Sequence, residues 1–203
     1  MSDAGAQLFV NRETFVRTLF AVCLSAALAT GIASGKECKG VNFPDQVQVD
    51  GVTLTLNGLG LRQATALKVN VYVAALYVTK ASSDPAAILG ANAPKEISLH
   101  FVRNVGGDDL KKAWNEGFEK NAKAELPALK DRIATFNGWM TEMKTGERLT
   151  FVHKGGGGVE VNINGSIKGT IKGDDFAKAL FAIWLADPPN PEIKSGLLGG
   201  ACG

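Results

Sequence analysis

From residue 47 onward, apolar and polar positions alternate in short runs broken by turn residues. Val47, Val49, Val52, Leu54 and Leu56 alternate around Asp50-Gly51. That dipeptide suits a tight hairpin turn, whose two central residues need positive φ. Asn57-Gly58-Leu59-Gly60 then predicts a turn leading to Leu61 and Arg62. Lys68 to Lys80, KVNVYVAALYVTK, is apolar on both faces. Val69, Val71, Val73, Ala75 and Tyr77 share one side, and Tyr72, Ala74, Leu76 and Val78 the other. A strand of this kind is covered on both faces and lies inside a sheet. Glu96 to Val102 alternates again. Arg148–Lys154, Val159–Asn164 and Ser166–Lys172 predict three strands of a meander, turned at Gly155–Gly158 and Asn164-Gly165.

Helical spacing fills the gaps. Asp84-Pro85 opens a short helix, with Asp as N-cap and Pro in the first turn. After Asp108 or Asp109 as cap, Leu110, Ala113, Trp114, Gly117 and Phe118 fall on one stripe. Pro127 starts another helix, with Leu126, Leu129, Ile133 and Phe136 inward. Asp174 or Asp175 caps a helix through Phe176, Leu180, Ile183 and Trp184, which Pro188-Pro189 stops. Pro191 opens a last helix ending at Gly199-Gly200. Hairpins rather than βαβ units predict an α+β fold: an antiparallel sheet with helices on one side. The domain spans 47–203, and residues 34–46 read as a loose lead-in.

The first 33 residues have a separate character. Arg12 and Arg17 precede an apolar stretch from Thr18 to Ser34 that ends in small residues. This is the pattern of a cleaved signal peptide, and it predicts export, to the periplasm in a bacterium. Two alternatives stand beside it. An uncleaved anchor is one, because the stretch approaches the ~20 residues that span a bilayer. A core helix is the other, although the apolar residues lie all round. Losing residues 1–33 removes Asp3, Arg12, Glu13 and Arg17 and leaves the formal charge at +2. Cys23 leaves too. Cys38 and Cys202 remain near the two ends, able to pair in an oxidising compartment or to stay as unpaired thiols on frayed ends. Cys38 lacks the small apolar run that precedes a lipid-attachment cysteine.

With 45% hydrophobic and 21% charged residues, the chain builds a full core. Its basic residues are scattered, which argues against nucleic acid as a partner. Gly155 to Gly158 lacks the Lys-Ser/Thr of a phosphate loop and reads as a hairpin loop. His100 and His153 stand in strand patterns without metal-ligand spacing. No nucleophile elbow and no acid–base pair stand out. One pair does draw attention. Arg62 sits beside the most buried part of the chain, and Tyr72 lies inside the doubly apolar strand. A guanidinium there calls for an anion, and a phenol beside it adds a hydrogen bond. The plainer alternative is a surface Arg and a core Tyr bonded to a carbonyl. Arg103, at the end of the next strand, serves the same cleft or caps the following helix.

The segment Leu56-Asn57-Gly58-Leu59-Gly60-Leu61-Arg62, followed by KVNVYVAALYV from Lys68 to Val78, resembles the chalcone isomerase-like family, nearest its bacterial branch. FAKALFAIWLADPPNPEIKSGLL, from Phe176 to Leu198, resembles that family's helical C-terminal end. The resemblance covers roughly residues 44 to 199 and implies an open-faced β-sandwich, a large antiparallel sheet against a layer of helices with a ligand cleft between. It also implies roles. Arg62 falls at the Arg that holds an anionic oxygen in the family. Tyr72 falls where the enzymes carry Thr and the fatty-acid binders Tyr. Ile183 falls where the enzymes carry a Ser or Thr against the flavonoid ring. The Tyr and Asn that the enzymes place around Leu110 and Gly117 are missing. These residues imply a non-catalytic protein without cofactor or metal that binds a fatty acid or similar amphipathic carboxylate through Arg62, Tyr72, Ile183 and Arg103. The alternatives are an intramolecular lyase of the chalcone isomerase type, acting on a flavonoid-like substrate, and a structural protein with a vestigial cleft.

Overall fold

The computed structural model describes residues 35–202. The signal or anchor segment expected at 1–33 lies outside them. Seven strands form one antiparallel sheet: β3 (Gln46–Val49), β4 (Val52–Ala64), β5 (Val69–Val78), β6 (Lys95–Phe101), β7 (Arg148–His153), β8 (Val159–Ile163) and β9 (Ser166–Ile171). They pair in chain order from β3 to β9. The expected hairpin turns form as read. Asp50 and Gly51 take φ of 48° and 81°, and Asn164 and Gly165 take 52° and 83°. Positive φ at both central residues matches the right-handed twist of the flanking strands.

Five helices complete the fold: α1 (Pro85–Gly90), α2 (Gly107–Asn121), α3 (Leu126–Gly138), α4 (Asp174–Leu185) and α5 (Pro191–Leu197). All five contribute to one core, with Tyr72, Ala74, Leu76 and Val78 of β5 facing them. An aromatic group centres it. Trp114 stands 5.6 Å from Trp184 and 6.0 Å from Phe151, and Phe118 5.6 Å from Phe176, in tilted or edge-on geometries that aromatic quadrupoles favour. The sheet's other face carries a second core of Leu54, Leu61, Val73, Ala75 and Tyr77. Both faces of β5 are therefore covered, as its doubly apolar pattern predicts. The architecture is the expected α+β open-faced sandwich.

Three local expectations need correction. Residues 35–44 are not loose. They form a hairpin of β1 (Gly35–Cys38) and β2 (Val41–Pro44) whose Cys38, Val41 and Phe43 are buried in the second core. Tyr77 fixes it by donating to the Pro44 carbonyl at 3.0 Å. Cys38 and Cys202 are disulfide-bonded, Cα to Cα 6.0 Å, across a separation of 164 residues. Second, Asn57-Gly58-Leu59-Gly60 is no turn, because β4 continues through it with only Asn57 left unpaired as a bulge. The glycines are there for close approach. A Cβ on Gly58 would collide with the Gly196 carbonyl, and one on Gly60 with that of Ile193, so α5 lies directly on β4. Third, glycines cap α2 and α4. Gly106 and Gly173 are the N-caps, while Asp108, Asp109, Asp174 and Asp175 sit in the first turns, where their charge meets the positive helix end. Asp84 does cap α1, accepting from Ala86 N–H at 2.9 Å.

Candidate functional site

β4 and β5 place Arg62 directly opposite Tyr72. Cross-strand partners project from the same face, so the two side chains are neighbours. The register slips beside them: Gln63 pairs with Asn70, and Val71 is left as the extra residue of a bulge. A bulge re-aims the side chains around it. Here the consecutive residues Val71 and Tyr72 both line one cleft of about 490 Å³. Arg62 forms part of the same wall. The stripe Leu110, Ala113, Trp114 and Gly117 of α2 faces it, Ile183 of α4 lies at depth, and the 103–105 loop closes one side.

Tyr72 is 5% exposed, and its hydroxyl accepts a hydrogen bond from the Trp184 indole at 3.0 Å. Burial pushes its pKa up to about 12, against the opposing pull of the Trp184 bond and the Arg62 charge. The phenol is therefore neutral at ordinary pH. Because Trp184 uses it as an acceptor, its own proton is free to be donated. Among the described residues, neither Arg62 nor Arg103 has a carboxylate within 4.0 Å. Arg62 spends one N–H on the neighbouring Gln63 carbonyl. A guanidinium has five, in a planar fork suited to a carboxylate.

The rim is otherwise balanced. Lys120 pairs with Asp187 at 2.8 Å, and Asn121 ties α2 to the loop after α4 by accepting from Asp187 N–H at 2.8 Å. Asp109 and Glu116 line the α2 side of the mouth. The lining thus has three cationic and three anionic residues, and any pull on an anion is local to the arginines. One further polar atom stands out on this wall. The Trp114 indole N–H is buried without an acceptor among the described residues.

Arg62, Tyr72, Ile183 and Arg103 all line this one cleft. Arg103 is exposed at its mouth and does not cap α2, whose cap has no side-chain bond. Trp184, as the group that orients the Tyr72 hydroxyl, is a site residue the sequence reading missed. It is 112 residues from its partner and looks like ordinary core. His153 is structural, within hydrogen-bonding distance of the Gly158 carbonyl and the Asn92 side chain. No cluster of metal-ligating residues occurs among the described residues.

The family model for chalcone isomerase-like proteins matches residues 35–199. The chain belongs to the chalcone isomerase-like family. The match begins at β1, so the hairpin and its cysteine fall inside the family domain. Among solved structures, this chalcone isomerase-like chain is similar to a fatty-acid binding protein of Arabidopsis thaliana, with a TM-score of 0.57 and 16% identity over 78% of this chain and 92% of that one. At that identity the likeness shows the chalcone isomerase-like fold. None of the curated proteins compared with the chain matches it.

Proposed function

We propose that this chalcone isomerase-like protein is a non-catalytic carrier, taking a fatty acid or similar amphipathic carboxylate into the cleft. One observation carries the reading: a guanidinium without a carboxylate partner among the described residues stands beside a neutral phenol whose proton is uncommitted, at the wall of a cleft with an apolar side and a charged rim. The carboxylate meets Arg62 and Tyr72, with Arg103 at the mouth, and the tail lies against Val71, Leu110, Trp114 and Ile183. Each buried methylene contributes about 0.8 kcal/mol, so a tail of eight to ten carbons offsets the cost of association. The cleft has the size usual for small-molecule sites. The fatty-acid binding neighbour supports the same ligand class. Ile183 argues against catalysis, since its buried aliphatic side chain offers a reacting substrate no proton and no hydrogen bond.

Export belongs to the same proposal. The charged start and apolar stretch of residues 1–33 support a cleaved signal, and a Cys38–Cys202 disulfide suits an oxidising compartment such as the periplasm. Cell fractionation with N-terminal sequencing of the mature protein tests it, and intact residues 1–33 on a cytosolic pool overturn it.

Native mass spectrometry of the purified protein tests the carrier reading, followed by decanoate titration of wild type and Arg62→Gln. A co-purified carboxylate, and an affinity that falls at least ten-fold in the variant, are expected. An empty protein that does not bind decanoate overturns the reading. Chalcone consumption that depends on Arg62 establishes the lyase alternative instead.

A further inference from the structure

A second, smaller cavity of about 250 Å³ lies between α1 and the ends of β5 and β6, and it shares no lining residue with the cleft. Its walls are mostly apolar, with Val78, Ala87, Ile88 and Pro94 among them. Thr79, Lys80, Ser82 and Lys95 are the polar residues of the lining; Thr79 and Lys80 are exposed at its edge, and Lys95 is the buried one. It opens β6 and is only 4% exposed. Its ammonium donates to the Ala91 carbonyl at 2.6 Å, and Ala91 also lines the cavity. On the inner side, Nζ stands 5.8 Å from the centre of the Phe181 ring. Among the described residues no carboxylate lies within 4.0 Å of it.

An ammonium has three donors, and one is used here. A buried charge without a counter-ion is unfavourable, and an anion with an apolar body relieves both the charge and the empty apolar wall. Burial correspondingly depresses the Lys95 pKa, against the opposing field of Asp174. We propose that this cavity is a second ligand site, taking a small monocarboxylate with a short alkyl tail, its carboxylate on Lys95 Nζ and its tail against Ile88 and Val78. At half the volume of the cleft, the cavity selects acids of about butyrate size over long chains. This site stands apart from the reading of the larger cleft and does not depend on it.

The test is an NMR titration of the isotopically labelled protein with butyrate, with butylamine and 1-butanol as controls of equal tail. Saturable shifts at the amides of Ile88, Ala91 and Lys95 are expected with butyrate. They persist in Arg62→Gln, and Lys95→Met weakens them at least ten-fold. Shifts confined to the larger cleft, or unaltered by Lys95→Met, overturn the proposal. So does an equal response of wild type to butylamine or butanol, a comparison that needs no variant to fold.

Discussion

Replacing Tyr72 with phenylalanine removes one oxygen and leaves the ring in place, still edge-on to Phe101 at 5.5 Å. Two separate losses follow. The ligand loses one hydrogen bond from a neutral phenol, worth about 0.5–1.5 kcal/mol, which is about two- to twelve-fold in Kd. The protein loses the acceptor for the Trp184 indole, which is wholly buried and 3.0 Å from that oxygen. An orphaned buried donor costs about 1–3 kcal/mol of stability. Decanoate calorimetry reads the first loss and urea unfolding the second. The double variant with Trp184→Phe separates them. Removing both partners destabilises by less than the sum of the single changes, because the pair's bond is counted only once. Its affinity is no better than that of Tyr72→Phe alone. Wild-type affinity in Tyr72→Phe, alongside reduced stability, refutes the ligand role and leaves the hydroxyl as a partner for Trp184 only.

Gly60→Ala puts a methyl group into the Ile193 carbonyl and the body of its side chain. It lowers stability by about 2 kcal/mol or more, with α5 showing the largest rise in hydrogen exchange. Burial raises the Glu96 pKa from 4.5 to about 7, with Arg148 opposing. The folded state therefore holds more protons than the unfolded one between those values, and stability falls as pH rises through that window, by about 3 kcal/mol at most. Unfolding curves from pH 4.5 to 7.5 show the slope, and Glu96→Gln flattens it. Cys38→Ser with Cys202→Ser lowers stability by about 2–5 kcal/mol under oxidising conditions, since the bridge closes a span of 164 residues. A reducing agent lowers wild type to the level of the variant.

Strands and hairpins were legible in the sequence because their causes are local. Asp50-Gly51 and Asn164-Gly165 set their turns through their own backbone angles, and the two-faced pattern of β5 states its burial directly. Arg62 and Tyr72 were legible as a pair because they lie ten residues apart on adjoining strands. What escaped depends on distant partners. Gly58 and Gly60 look like turn residues until α5, more than 130 positions later, is laid across them. The lead-in looks loose because its strands have four residues each, and their stability comes from the core beneath and from Cys202. Asp175 looks like a cap, but its carboxylate is held by both terminal nitrogens of Arg132, at 2.6 and 2.7 Å. Trp184 shows no sign of its acceptor in its own segment.

The order of the strands in space is their order along the chain, and this shapes how the molecule assembles. Most strands find their partner among the residues made shortly before or after them, so pairing within the hairpins costs little loop-closure entropy; β6 and β7 are the wide step, joined only after α2 and α3 have been made. Further exceptions are α5 on β4 and the link from Cys38 to Cys202, which join the two ends of the family domain. Those contacts form late, and a nascent chain keeps its β4 glycine track bare until α5 has emerged.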